Sequence, residues 1–249
     1  MTFPVYVRVG GWNLHPHLVF EALAYAVGVR LYLWLRRRRG DHVTGRTRWS
    51  LAAAAIVGAG VGSRILFWFE DPGATLHHWN DPLFLMSGKT VVGGLVGGII
   101  AVESVKVRMG ITCATGDLLA IPLAVGIPIG RIGCFLTGLD DHTYGIATMM
   151  PWGVDFGDRI ARHPTALYES LFLVGVAAVL GRLASRPLVE GALFKILIIS
   201  YMAFRLAIDA LKPRVSIVLG MSAIQLVCLM TLIAYSRTMH VETRVMRCE

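Results

Sequence analysis

Arg131, framed by glycines in Gly130-Arg131-Ile132-Gly133, and Arg205, four residues before Asp209, are the residues of this chain best suited to anion chemistry. A guanidinium presents a planar fork of donors that fits a phosphate diester better than a lysine ammonium does. At their spacing Arg205 and Asp209 share one face of a helix, so the carboxylate can orient the guanidinium. A second motif, His163-Pro164-Thr165-Ala166-Leu167-Tyr168-Glu169, supplies an imidazole able to carry protons near neutral pH; the plainer alternative is a histidine that merely flanks a helix start. Between the two motifs lie Asp140, Asp141, Asp155, Asp158 and the turn signal Pro151-Trp152-Gly153. So much polar and turn chemistry inside an otherwise apolar chain calls for water or for use.

The elements that must position these groups are membrane helices. Apolar residues make up 55% of the 249, and only 16% are charged; mean hydropathy is +0.62. That balance excludes an ordinary soluble globule. The net charge of +8 does not point to nucleic acid, because the basic residues cluster between apolar runs and so report topology. Cys113, Cys134, Cys228 and Cys248 have no paired spacing, so neither a disulfide framework nor a metal site is indicated. The N-terminus lacks the short apolar core and small-residue cleavage site of a cleavable signal peptide.

Seven runs approach the length of a spanning helix, which is about 20 residues: Leu18–Leu35, Trp49–Phe69, Val91–Val107, Ala114–Ile129, Thr165–Leu183, Glu190–Ala210 and Ser216–Tyr235. The expected architecture is all-α, one seven-helix membrane domain over residues 1–249 with a long outward loop at about 131–163. Basic residues mark alternate connections: Arg36 to Arg39 with Arg46 and Arg48, then Lys106 and Arg108, then Arg182 and Arg186, then Arg237, Arg244 and Arg247. That side is expected to be cytoplasmic, with the N-terminus, the Asp71–Lys89 connection, the central loop and Lys212–Arg214 outside.

With that orientation, Glu21, Arg64, Arg131, Arg205 and Asp209 all fall near outer helix ends. Snorkelling accounts for any one of them, but charged groups in membrane helices usually face a polar interior. Arg30, Glu103 and Lys195 lie near cytoplasmic ends, where snorkelling suffices. Gly93 with Gly97, Gly94 with Gly98, and Gly58 with Gly62 have the small-xxx-small spacing of close helix packing. Ser87-Gly88-Lys89-Thr90 has the tail of a phosphate-binding loop but lacks its first glycine at the required spacing.

Gly-Arg-Ile-Gly-x-Phe followed by Arg-His-Pro-Thr-x-Leu-Tyr-Glu resembles prolipoprotein diacylglyceryl transferases. The resemblance extends to the Gly-Gly-Leu-Val-Gly start of the third helix, to Tyr25-Ala26-Val27-Gly28, and to the Arg–acidic pair of the sixth. It implies a multi-pass enzyme of the bacterial inner membrane that moves the diacylglyceryl unit of phosphatidylglycerol to the thiol of a lipobox cysteine, releasing glycerol phosphate. The implied partners are phosphatidylglycerol, a prolipoprotein signal peptide or another acceptor, and membrane lipids; no cofactor is implied. Arg131 and Arg205 match the phosphate-handling arginines, Asp209 stands where glutamate is usual, and His163, Tyr168 and Glu169 match the second motif. With Glu21 as base, the expected catalytic set is Glu21, Arg131, His163, Arg205 and Asp209. The expected substrate-binding set is Arg64, Gly93, Gly94, Arg131, Cys134, Thr137, Tyr168, Glu169 and Arg205.

Departures from the family pattern are specific. The family's histidine before the glycine pair of the third helix is Val92 here. Two asparagines become Cys134 and Thr137, a glutamate becomes Leu139, and a first-helix tyrosine aligns with Glu21. Glu21 is chemically able to act as the base, since burial raises a carboxyl pKa toward the working range. Cys134, one turn from Arg131, is either a thiol activated by the guanidinium or a small packing residue. Asp140 and Asp141 are candidates to replace the carboxylate lost at Leu139. Two other readings stay open: a related transferase with a non-lipoprotein acceptor, and a non-catalytic lipid-binding or transport protein. Transport predicts charge spread through the membrane depth or inverted repeats, whereas here charge gathers at one face.

Overall fold

The computed structural model describes residues 3–40, 43, 45–213 and 215–239. The chain opens with a short hairpin, β1 (Val7–Val9) and β2 (Trp12–Leu14). Then come α1 (Pro16–Arg39), α2 (Gly45–Glu70), α3 (Pro72–His77), α4 (Pro82–Ser87) and α5 (Val91–Met109). After α6 (Asp117–Thr137) and a 3-10 turn (Gly138–Asp141), β3 (Val154–Asp155) pairs with β4 (Ala161–Arg162). The chain continues through α7 (Thr165–Leu183), α8 (Ala192–Ile208), a second 3-10 turn (Asp209–Leu211) and α9 (Ala223–Met239).

Among the described residues, four helices are long and apolar enough to cross a membrane: Pro16–Arg39, Gly45–Glu70, Thr165–Leu183, and α6 with its following turn, Asp117–Asp141. The other three expected runs differ for physical reasons. α8 is only 17 residues long, and α5 carries Glu103, Lys106 and Arg108 in its last turns. α9 begins at Ala223 rather than Ser216, because Ser222 and Gln225 form a reciprocal cap: the Gln225 amide donates to Ser222 Oγ and the Ser222 amide to Gln225 Oε1. The basic residues Arg214, Arg244 and Arg247 lie outside the described residues.

The fourth helix is longer than expected. Neither Gly130 nor Gly133 stops it; it runs through Arg131 to Thr137 and ends where Gly138 takes a positive φ of 79°. Arg131 is therefore a helical residue, and the long loop begins only after it. That loop is itself ordered. Phe156 is buried against Phe3, Phe135 and Tyr144, and backbone bonds tie Ile146 to Leu211 and Gly145 to His163.

The chain divides into two compact units, residues 1–40 with 116–213 and residues 41–115 with 214–249. In the first, α1 and α6 run antiparallel in close contact. A side chain at Gly133 would meet Phe20 Cβ at 2.7 Å and His17 Cα at 3.3 Å, and one at Gly126 would meet the Ala24 carbonyl at 3.4 Å. α7 packs on α6, and Ser170 Oγ donates to the Pro128 carbonyl at 3.2 Å. The rings of Phe172 and Phe204 stack between α7 and α8, 4.3 Å apart. Asp117 at the start of α6 accepts from the Gly191 and Phe194 amides and so caps α8.

In the second unit α2 and α5 interlock through their glycines. A Cβ on Gly97 would overlap the Gly58 carbonyl and lie 2.8 Å from Gly62 Cα, whereas one on Gly98 would sit in ordinary contact, 3.5 Å from the Ala55 carbonyl. The same chemical change should therefore have opposite outcomes at adjacent positions. Gly97→Ala is expected to cost about 1–3 kcal/mol by overpacking, and Gly98→Ala to be neutral or to gain about 0.5–1 kcal/mol from helix propensity. Thermal unfolding in detergent reads the difference, and equal midpoints for the two variants would refute the interlock.

Candidate anion site of the first unit

The groups of the first unit meet at one end of its helices. Arg131 lies in the last turns of α6, Glu169 in the first turns of α7, Arg205 in the last turn of α8, and Asp209 in the 3-10 turn that follows. All four are buried. Glu169 is the hub. Its Oε1 lies 2.9 Å from Arg131 Nε and its Oε2 accepts from Arg205 Nη1 at 3.4 Å. Tyr201 on α8 donates its hydroxyl to Glu169 Oε1 at 2.6 Å. Asp209 Oδ1 stands 3.7 Å from Arg205 Nη2, as the helical spacing predicts.

The site is cationic in character despite these pairings. Lys212, at the end of the turn that carries Asp209, adds a third basic group. Burial, followed by Arg205 and Arg131, pushes its ammonium down to about 7 against the opposing pull of Glu169 and Asp209. With Lys212 protonated, two guanidiniums and one ammonium face two carboxylates. The Nε–H groups of Arg131 and Arg205 are buried without an aligned hydrogen-bond acceptor among the described residues. Leaving charged donors unsatisfied costs several kcal/mol at about 1–3 or more per group, a cost that an anion with several oxygens removes.

A second cluster adjoins the first through Cys134. Its Sγ lies 3.8 Å from Arg131 Nη1 and 3.9 Å from His17 Nδ1. His17 Nδ1 is 2.9 Å from Asp141 Oδ1, and His17 Nε2 is 3.4 Å from Glu21 Oε2. Tyr25 donates to Glu21 at 3.2 Å, and Thr143 donates to the other oxygen of Asp141 at 2.8 Å. Glu21 is thus placed beside the arginine cluster by way of His17 and Cys134.

Other expected residues are used differently. His163 Nδ1 pairs with the Tyr168 hydroxyl at 3.1 Å, and that hydroxyl accepts from Trp152 Nε1 at 2.7 Å. His163 and Tyr168 therefore form a relay of their own with the loop, not with the arginines. Thr137 Oγ1 donates back to the Gly133 carbonyl, which leaves it as a helix residue rather than a ligand. Arg64, Gly93 and Gly94 belong to the second unit. Arg64 bonds the Gly60 carbonyl of its own helix at 3.4 Å; a Cβ on Gly93 would overlap the Gly62 carbonyl, and one on Gly94 would lie 3.7 Å from that of Ala59. Sequence reasoning missed His17, Tyr201 and Lys212. His17 carries a readable signal, since it stands four residues before Glu21 at the start of a helix.

A helical protein with several membrane-length apolar helices, whose charged residues converge into one buried arginine–carboxylate site at their ends, is the class this fold and site define. A family model described as prolipoprotein diacylglyceryl transferase matches residues 4–240, and the chain belongs to that family. It is 31% identical over 224 residues to the phosphatidylglycerol–prolipoprotein diacylglyceryl transferase of Methylobacillus flagellatus, with 83% of this chain and 82% of that protein covered. It is 29% identical over 215 residues to the protein of the same name from Bordetella avium, covering 83% and 80%. A third, from Wolbachia pipientis wMel, is 31% identical over 216 residues, covering 80% and 77%. Val92, which stands where the resemblance calls for histidine, is fully buried.

Proposed function

We propose that this chain transfers the diacylglyceryl unit of phosphatidylglycerol to the thiol of a prolipoprotein cysteine and releases glycerol phosphate. The observation that carries the proposal is the convergence of Arg131 and Arg205 on Glu169, with the Arg205 Nε–H buried without a hydrogen-bond partner among the described residues and so available to a phosphate oxygen. The reaction breaks the bond between the glycerol carbon and the phosphate oxygen, so negative charge grows on the leaving phosphate. Arg131 and Arg205 hold that phosphate, Asp209 orients Arg205, and Glu169 with Tyr201 fixes the two guanidiniums relative to one another. On the acceptor side, Glu21 receives the thiol proton, and His17 holds Glu21 beside the arginine cluster. His163 and Tyr168 hold the loop against α7 and border the site.

The finer membrane reading belongs to the same proposal. Seven spans over residues 1–249 put the N-terminus outside and the C-terminus in the cytoplasm of a multi-pass inner-membrane protein, with the arginine site at the depth of the outer headgroups. The alternation of basic connections supports it. The partners are then phosphatidylglycerol, a prolipoprotein signal peptide and the surrounding lipid; nucleic acid has no part.

The test is release of labelled glycerol phosphate from phosphatidylglycerol by purified protein with a lipobox peptide, beside a peptide whose cysteine is serine. Release with the cysteine peptide alone supports the proposal. Release only with cell extract identifies a different acceptor, which the replacements at Val92 and Leu139 favour as the second reading. No release in either arm overturns catalysis. Lys212 gives the assay a pH signature. An anionic headgroup draws a proton onto it, so binding takes up a proton above pH 7 and KM should rise as pH climbs from about 7 toward 9. Lys212→Arg, which stays charged, is expected to flatten that rise; an unchanged profile would count against Lys212 at the headgroup.

A further inference from the structure

The cluster beside the arginines contains an imidazole, a thiol and a carboxylate whose donor atoms all lie within 4.8 Å of one another: His17 Nδ1, Cys134 Sγ and an oxygen of Asp141. We propose that these three residues bind a zinc ion whose fourth position takes the acceptor thiol. The proposal deepens the transferase reading and rests on it for the identity of that thiol.

Three observations point to a metal rather than to hydrogen bonding alone. The first is geometry. A tetrahedral zinc with bonds of about 2.0–2.3 Å holds its ligand atoms roughly 3.3–3.8 Å apart. The separations here, 2.9 Å from His17 to Asp141 and 3.9 Å from His17 to Cys134, need only small side-chain adjustments to reach those values. The scaffold beneath is tight, since Gly133 brings the His17 backbone directly onto α6. The second is the outer shell. The ring nitrogen of His17 that points away from the cluster faces Glu21, which is held in turn by Tyr25, and the second oxygen of Asp141 is held by Thr143. A histidine with one nitrogen in a ligand cluster and the other on a carboxylate is the usual support of a zinc ligand. The third is exposure. Cys134 and Asp141 are nearly buried, but the His17 side chain is 29% exposed, which leaves an approach for a fourth ligand.

Charge also balances. A divalent ion with one thiolate and one carboxylate is neutral, so Arg131, 3.8 Å from the sulfur, is not repelled. Binding a second thiolate makes the centre anionic beside that guanidinium. Zinc holds a thiol in its deprotonated form at neutral pH, which supplies a nucleophile within the same cluster that adjoins the phosphate site. In the step that follows, the acceptor S–H proton leaves to Glu21 or to water. A sulfur lone pair forms the S–C bond to the glycerol carbon, and the C–O electron pair departs on the phosphate held by Arg131 and Arg205. Zinc remains divalent throughout. The thioether product carries no charge and is a poor ligand, so it dissociates.

The experiment uses full-length protein in detergent, stripped with a chelator and titrated with zinc alone or cobalt(II) alone. Bound metal is counted by mass spectrometry, and the cobalt form is followed by its thiolate charge-transfer absorption. One ion per chain is expected, with the charge-transfer band lost in Cys134→Ser. His17→Ala and Asp141→Asn should each weaken zinc by more than tenfold, and Glu21→Gln by about 10–100-fold through the outer shell. Cys228→Ser, at a buried thiol of the second unit, should leave binding unchanged, and thermal midpoints identify any variant that fails to fold. Absence of stoichiometric zinc, or equal binding in Cys134→Ser, His17→Ala and Asp141→Asn, overturns the site. Full glycerol phosphate release by the metal-free protein overturns the role in thiol activation. Zinc bound at these residues without any transfer to the cysteine peptide supports the site while refuting the acceptor reading, so the two failures are distinguishable.

Discussion

Replacing Arg131 with lysine is expected to lower kcat for glycerol phosphate release by about 10²–10³-fold, the usual effect of removing one aligned donor from a developing anion. Arg131→Ala should leave no measurable turnover. The lysine variant isolates geometry from charge. An ammonium in place of the guanidinium still balances Glu169, so the fold should survive with a near-normal thermal midpoint. It offers a point charge where the parent has a planar fork, and it cannot reach Glu169, the phosphate and Cys134 together. Arg131 makes two of those approaches at once, with Nε 2.9 Å from Glu169 and Nη1 3.8 Å from Cys134, and the third is the one proposed for the phosphate. If Arg131→Ala turned over at the parent rate, the phosphate clamp would be wrong whatever else the site contains.

Much of this site was legible before the fold. The Gly-Arg-Ile-Gly and His-Pro-Thr-x-Leu-Tyr-Glu motifs placed Arg131 and Glu169, and the four-residue spacing put Asp209 on the face of Arg205. All of those meet in one cluster. The small-xxx-small glycines of α2 and α5 were legible for the same reason, since a helical period fixes which residues share a face. What could not be read was anything set by a neighbouring element. Tyr201 reaches Glu169 from α8, and His17 reaches Asp141 across more than a hundred residues; no local pattern encodes either contact. Arg131 was placed at the start of the loop because the apolar run ends at Ile129, yet Gly133 serves packing on α1 rather than a turn, and the helix continues through both flanking glycines. The late start of α9 had a signal that went unused: Ser222-x-x-Gln225 is a capping pair, and it outranks the apolar run before it.

The replacements in this chain form a coherent set when read together. Val92 is packed with no polar role at its position, so proton handling at the acceptor needs groups elsewhere. Glu21, His17, Cys134 and Asp141 are connected to one another and to Arg131 by contacts of 3.9 Å or less. Asp141 thus brings a carboxylate back near the sequence position where Leu139 lacks one, two residues on, because the 3-10 turn after Gly138 swings it toward α1. On the proposed reading, the phosphate side keeps its arginines and the thiol side is rebuilt from different donors.

Glu169→Gln should be the most destabilising single change in the site. The carboxylate lies between two buried guanidiniums and accepts from Tyr201; amidation leaves its volume and removes its charge. Arg205 keeps Asp209, at 3.7 Å, but Arg131 loses its carboxylate. Stranding a buried charge in this way costs about 3–5 kcal/mol, which at roughly 2–4 °C per kcal/mol is a large fall in thermal midpoint for a chain of this size. A structural salt bridge and a binding site differ in what restores the loss. If the arginines are built for an anionic headgroup, phosphatidylglycerol should raise the midpoint of Glu169→Gln more than that of the parent, because the lipid phosphate replaces the missing carboxylate. A zwitterionic lipid of the same chain length should do so less. The double variant Arg131→Gln with Glu169→Gln should be less destabilised than the sum of the two single changes, since the charge stranded by one is removed by the other. A Glu169→Gln midpoint equal to the parent's would mean that water, not Glu169, balances Arg131, and the picture of a dry anion site would fall with it.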